Sequence, residues 1–133
     1  MTRFLIVLGA AFAGLVAICG AALVHFTHAL MRADPFPTFM ANYQPTGPQT
    51  YQDAEQAFSD FVVQHFPPGS RAQDAIAQIT KGGFEVTPSS SDSVALRWSR
   101  HNGPCGELYS IVVNQAADGT IATIIGRLHP ICL

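Results

Sequence analysis

The sequence predicts an α+β protein: an N-terminal transmembrane helix, then a small domain of two helices packed on an antiparallel β-meander and stapled by one disulfide. Three observations predict this class. Residues 4–26 contain no Asp, Glu, Lys or Arg. Two helical apolar patterns lie between residues 50 and 82, and the pattern then changes to a period of two. A chain of 133 residues has room for one such domain.

The uncharged segment at residues 4–26 is long enough to cross a bilayer. At about 1.5 Å per residue it would span roughly 34 Å, against a hydrocarbon core of about 30 Å. A cleavable signal peptide is the alternative, but its apolar region is usually shorter, about 7–15 residues, which favours an uncleaved anchor over residues 1–30. Arg3 precedes the span, so we expect a cytoplasmic N-terminus and a single-pass inner-membrane protein whose domain is periplasmic or extracellular.

Small residues recur every four positions in this segment. Such a stripe lets a second transmembrane helix approach closely, which predicts an integral-membrane partner. The alternative is an alanine-rich span without a packing role. The stripe consists of Gly9, Ala13, Ala17 and Ala21.

Residues 31–50 are rich in proline and predict an extended linker between anchor and domain. Phe36, Phe39 and Tyr43 alternate with these prolines. One interpretation is that the aromatic side chains lie at the membrane interface or fold back on the domain. The other is that they contact a partner protein.

The first helix of the domain (residues 51–133) is predicted to begin after Thr50, which can cap it with Asp53 at the third position. Pro67 and Pro68 end it. One apolar stripe follows helical spacing: Tyr51, Ala54, Phe58, Phe61, Val62 and His65.

Ser70 is the predicted cap of the second helix, with Gln73 at the third position. Gly82 is expected to adopt the left-handed conformation that ends this helix. Its buried side is predicted to contain Ala72, Ile76 and Ile79.

The sheet begins with a short strand candidate at residues 84–87. Val94, Leu96 and Trp98 then alternate with polar or small residues, so they should share one face of the next strand. The segments "ELYSIVV" and "TIATIIGRL" flank the turn "NQAADG". This order predicts a meander with one face available to the helices.

Cys105, within "RHNGPCGELY", has two interpretations. With His101 or His129 as a base it could be a thiol nucleophile. A hairpin turning near Ala117 would place residue 105 opposite about residue 129, close to Cys132. Since these are the two cysteines outside the predicted span, we favour a disulfide in an oxidising compartment. It would close a loop of about 27 residues and contribute about 3 kcal/mol.

The helix-helix-meander order, and the segment "PPGSRAQDAIAQITKGGF" in particular, resembles small bacterial envelope proteins of the outer-membrane-assembly lipoprotein type, the SmpA/OmlA-like group. The resemblance covers about 80 residues. It implies a non-catalytic accessory role in an envelope complex.

Composition and motifs narrow the function further. The formal charge of −2, without a basic patch, argues against nucleic acid as a partner. The sequence contains no G-x-S-x-G, phosphate loop or dense carboxylate cluster, so no catalytic residue is assigned. His25 and His28 share a helix face, but no nearby Cys or carboxylate completes a metal or haem site, so no cofactor is predicted.

The sequence therefore predicts a non-enzymatic accessory or scaffold subunit of a membrane complex. The alternative is a secreted or anchored binding module, such as an inhibitor or immunity-type protein, that uses the sheet face or the loop at residues 100–106. A thiol-dependent enzyme is the third hypothesis. No small-molecule ligand is indicated.

Overall fold

The structure is a computed structural model, and it describes residues 14, 16–28, 31–44, 50–87, 90, 92–103 and 105–132, with the backbone alone at Cys132. The chain divides into two compact units, Met1–Arg32 and Ala33–Leu133. In the first unit, residues 14 and 16–28 are helical.

The predicted transmembrane helix at residues 4–26 is not supported. No helix among the described residues is long and apolar enough to cross a membrane. The described helical residues 16–28 would span roughly 20 Å, short of a bilayer core of about 30 Å. The prediction of a single-pass inner-membrane protein rested on this span and is corrected with it.

The predicted partner contact through the membrane is corrected for the same reason. Of the small-residue stripe, Gly9 and Ala13 lie outside the described residues. Ala17 and Ala21 lie in the described helical segment and are exposed within it.

Helix α1, Tyr51–His65, begins as the sequence predicts. The backbone N–H of Asp53 donates to the Thr50 hydroxyl, and the Asp53 carboxylate accepts from the backbone N–H of Thr50, which completes a capping box. The buried side of the helix holds Phe58 and Val62.

Helix α2, Ala72–Lys81, has Arg71 rather than Ser70 at its cap, without a side-chain capping bond. The Ser70 hydroxyl donates instead to the carbonyl of Pro67, 2.7 Å away. At the other end Gly82 is right-handed (φ −74°), and Gly83 adopts the left-handed conformation (φ +95°). Both ends of α2 are therefore displaced by one residue from the prediction.

Four strands form one antiparallel sheet in the order β1-β2-β3-β4, which confirms the meander. Their bounds are Glu85–Thr87, Ser93–Asn102, Cys105–Gln115 and Ile121–Cys132. Leu96 is buried on the helix side of β2, and Val94 and Trp98 pack against the same core. The predicted alternation of β2 is thus correct.

The register of β3 and β4 differs from the predicted one. Residue 105 lies opposite Cys132 and not opposite residue 129, because the ladder shifts at Asn114 and Gln115 and the turn centres beyond Ala117. The disulfide staple is corrected, because the structure describes no such bond. The two residues are Cα partners in the ladder, and the Cys132 side chain lies outside the described residues.

Residues 33–44 belong to the folded unit that ends at Leu133. A 3-10 helix at Thr38–Met40 places Phe39 and Met40 in the core, and Tyr43 is buried beside them. Here the segment differs from an extended linker. Extended backbone before prolines still presents side chains to a core, since it requires no helical hydrogen bonds.

The core lies between the sheet and the layer formed by α1, α2 and residues 36–43. Gly126 of β4 marks the closest approach of α1. A Cβ atom at this position would lie 3.0 Å from Phe58 and 3.1 Å from Val62. The missing side chain therefore lets α1 lie directly against β4.

Candidate functional site

Strand β4 lies at the edge of the sheet, and the domain covers this edge at two places. At its start, the backbone N–H of Gly69 donates to the carbonyl of Ile121, and the N–H of Ile121 donates to the carbonyl of Ser70, both at 2.8 Å. Near its end, the Tyr51 hydroxyl donates to the carbonyl of Leu128. Pro130 follows and has no N–H to offer.

Between these two places the edge is open. Backbone groups alternate sides along a strand, so Ile124 and Gly126 direct their N–H and C=O groups to the same edge as the Leu128 carbonyl. Within the part of the chain that the structure describes, no hydrogen bond reaches these four groups. We call residues 123–127 the edge window. An uncovered edge of this kind is a template for another strand.

A groove of about 360 Å³ lies along the edge window. We call it the α1–β4 groove. Helix α1 supplies one wall and the strand supplies the other. It is lined by Gln52, Glu55, Gln56, Ser59, Ile125, Gly126 and Arg127.

The α1 wall follows from helical spacing. The four lining residues of α1 are at positions i, i+3, i+4 and i+7, which places them on one face beside the apolar stripe. The helix has three carboxylates, at Asp53, Glu55 and Asp60, and neither Lys nor Arg. Gln56 donates from Nε2 to Asp60 at 2.8 Å, which holds the two side chains together on the outer surface.

Tyr51 and His129 close one end of the groove. The hydroxyl of Tyr51 lies 3.0 Å from Nδ1 of His129, and the rings are stacked with centroids 6.3 Å apart. Burial raises the pKa of Tyr51, the charge of Glu55 raises it further, and the charge of Arg127 lowers it. Both charges therefore act at this end of the groove.

A second polar cluster lies at the far end of β2 and β3, on the helix side. Glu107 accepts three hydrogen bonds of 2.6 Å, from Arg100 Nε, from Asn102 Nδ2 and from the Tyr109 hydroxyl. The Arg100 and Glu107 side chains are only 9% and 17% exposed. Their pair is therefore largely desolvated.

The pKa values in this cluster favour fixed charges over proton transfer. Burial would raise the pKa of Glu107, but hydrogen bonds from Arg100, Tyr109 and Asn102 outweigh it and hold that pKa below its usual range. Burial, followed by the hydrogen bond to Glu107, raises the pKa of Tyr109. The carboxylate stays ionised and the phenol protonated, so the cluster holds structure together.

This cluster also anchors residues 33–36. Asp34 pairs with His101 through two hydrogen bonds of 2.9 Å: the Asp34 N–H donates to the His101 carbonyl, and the His101 N–H donates to the Asp34 carboxylate. Phe36 covers the guanidinium of Arg100. The N-terminal segment is thereby fixed to the exposed edge of β2.

The structure buries the predicted partner-contact residues in the domain. Phe39 and Tyr43 are 8% and 5% exposed, and half-buried Phe36 packs on Tyr43 and Tyr109. Of the two interpretations, folding back on the domain describes their positions. The predicted loop at residues 100–106 is mostly strand, with residues 100–102 in β2 and 105–106 in β3.

Histidines form no metal site among the described residues, where no group of three or more metal-ligating side chains occurs. His25 and His28 line a cavity of about 520 Å³ in the first unit, with Met31 and Arg32. His65 stacks on Phe61, and its Nε2 lies 3.2 Å from Gln78.

The sequence analysis did not find the α1–β4 groove. One signal was available, since Gln52, Glu55, Gln56 and Ser59 form a polar stripe beside the apolar stripe of the same helix. A second was that the last strand of a meander is an edge strand. Which edge the helix would flank depends on tertiary packing, and the sequence pattern does not contain it.

Comparison with known proteins adds no relative to this description. No family model matches the chain, no curated protein matches it, and no solved structure matches its fold. The resemblance to envelope accessory proteins therefore stays a hypothesis.

Proposed function

We propose that this chain is a non-enzymatic protein-binding module that captures an extended segment of a partner protein along the edge window of β4. The segment would add a fifth strand to the sheet. Strand addition of this kind gains affinity from main-chain hydrogen bonds and specificity from alternate side chains.

One observation carries the proposal: the domain covers β4 at Ile121 and at Leu128 but leaves the backbone groups of Ile124 and Gly126 open. Proteins usually protect their edge strands, so an uncovered stretch between two covered ones needs an explanation. At about 3.4 Å per residue, the five residues 123–127 span roughly 17 Å, enough for a segment of about five residues.

The groove supports the same function. Side chains of an added strand that lie opposite Gly126 would point under α1, where the groove has about 360 Å³ of space. The alternate side chains would lie on the uncovered face of the sheet. This mode of binding needs no membrane span, and a role as accessory subunit or inhibitor is compatible with it.

The experiment uses the full chain and a soluble, neutral eight-residue probe peptide of alternating threonine and valine. We expect the amide signals of Ile124 and Gly126 to shift in NMR spectra and to gain protection from hydrogen exchange. Two analogues of the probe carry N-methyl groups on alternate residues. One should lose binding and the other keep it, because only every second N–H of an added strand faces β4.

A protein variant supplies the second test. Ser59→Trp fills the groove and should abolish the shifts, whereas Gln64→Trp, at an exposed position of α1 outside the groove lining, should leave them unchanged. No shift at Ile124 and Gly126 with millimolar probe would overturn the proposal. Equal binding of both N-methyl analogues would also overturn it.

A further inference from the structure

The α1–β4 groove presents a different environment to each face of an added strand. Residues opposite Gly126 face the helix wall with Gln52, Glu55 and Ser59. Their neighbours lie beside Ile125, which is 40% exposed on the uncovered face of the sheet. The groove therefore distinguishes odd from even positions of its occupant.

The helix wall is negative. Helix α1 has three carboxylates and no Lys or Arg, and Glu55 lines the groove itself. The compact unit Ala33–Leu133 contains nine acidic residues and five Lys or Arg residues, a formal charge of −4 (5 − 9). Arg100 is among the five and is already paired with Glu107. The field along the wall favours a cationic occupant.

A second copy of the chain would fit this wall poorly. Antiparallel pairing of β4 with its own copy would bring two α1 helices side by side above the joined sheet. Six carboxylates, twice the three of one helix, would then face each other without a cation on either helix. Like charges at short distance disfavour that arrangement.

We infer that the occupant is an extended basic segment, with Lys or Arg opposite Gly126, facing Glu55, and β-branched or other apolar residues at the flanking positions beside Ile125. This inference rests on the proposed function and names the partner chemistry of the same groove. The long stem of Lys or Arg would pass between Gln52 and Ser59, and its charged end would reach the Glu55 carboxylate.

The test compares three probes that differ at one central position: the neutral threonine probe, a lysine probe and a glutamate probe. We expect the lysine probe to bind about fivefold more tightly than the neutral one, the range of a solvent-accessible ion pair, and the glutamate probe to bind more weakly. The preference should shrink at 0.5 M salt because the charges are screened.

Charge reversal at the wall is the decisive variant. In Glu55→Lys the order of the lysine and glutamate probes should invert, while the neutral probe keeps its affinity. Asp74→Lys, the matched control on α2, should keep the original order, since it does not line the groove. An unchanged order in Glu55→Lys overturns the inference and leaves the proposed function standing. Failure of the neutral probe to bind removes the proposed function as well.

Sedimentation of the full chain tests the other occupant. We expect a monomer whose mass does not depend on Ser59→Trp. A dimer that Ser59→Trp dissociates would show that a second copy fills the groove, and it would overturn the inference.

Discussion

The guanidinium carbon of Arg100 lies 3.8 Å from the centre of the Phe36 ring, while Nε of the same side chain donates to Glu107 at 2.6 Å. One arginine thus joins the chain before the first helix to the two central strands. The ring removes water from one face of the guanidinium, and the carboxylate compensates its charge.

Removing one partner of this pair should destabilise the domain strongly. We expect Glu107→Gln to lower the free energy of unfolding by about 3 kcal/mol, because Arg100 is then buried without its counterion. Urea unfolding measures the loss. Glu85→Gln makes the same chemical change on an exposed strand and should cost less than about 0.5 kcal/mol.

The double variant Arg100→Met/Glu107→Gln separates the pair from its surroundings. We expect it to be more stable than the sum of the two single changes predicts, since neither charge is left alone. Strict additivity would contradict the assignment of a coupled, desolvated pair.

Acid should destabilise the domain through Glu107. The pKa of this carboxyl is lowered in the folded state, so its stabilisation is present above the unfolded pKa of about 4.3 and is lost as the pH falls through the folded pKa. Urea midpoints measured from pH 7 downwards should decrease below about pH 4.3. Glu107→Gln should flatten that decrease.

A residual slope is expected in that variant. Asp118 also has a lowered pKa, because the hydroxyl and the backbone N–H of Thr120 donate to its carboxylate. It contributes with the same sign, and so the acid dependence should not vanish. An unchanged slope in Glu107→Gln would contradict the role of the Glu107 pKa.

Residues 33–44 should be required for folding. Phe39, Met40 and Tyr43 are buried in the core, so we expect a chain that starts at residue 45 to lose cooperative thermal unfolding. A chain that starts at residue 33 should keep it. Within the full chain, Phe39→Ala should cost about 3–5 kcal/mol. Near-UV circular dichroism and thermal melts check each case, and a cooperative melt of the shorter chain would contradict the prediction.

Gly126→Ala should push α1 away from β4. The new methyl group would lie 3.0 Å from the Phe58 ring, closer than ordinary packing allows, and we expect a loss of about 1–3 kcal/mol. Gly106→Ala is the matched control, a strand glycine whose Cβ would have its nearest neighbour at 3.7 Å. Equal effects of the two substitutions in urea unfolding would show that close packing is not the cause.

The elements that the sequence predicts well are those with local causes. Thr50 and Asp53 lie three residues apart and form their capping box without tertiary help. The alternation around Leu96 likewise needs only one strand. Ser70 was misplaced as a helix cap, because its carbonyl accepts from Ile121, a bond to a strand 51 residues later (121 − 70).

Two features could not be predicted because they depend on distant neighbours. Prolines around Phe39 predict extended backbone, and that prediction says nothing about whether a core receives the side chain. The open groups of Ile124 and Gly126 become visible only when Tyr51 and Gly69 are seen to cover the rest of the edge.

The placement of residues 33–44 also affects how the protein is made. Asp34 pairs with His101, and Phe36 with Tyr109, so the earliest part of the domain waits for its latest parts. Residue 44 leaves the ribosome 77 residues before β4 begins (121 − 44). At about 5–20 residues per second this is a delay of roughly 4–15 s. During that interval Phe39, Met40 and Tyr43 are apolar side chains without a core. The nascent chain therefore offers a binding sequence to chaperones that the finished domain conceals.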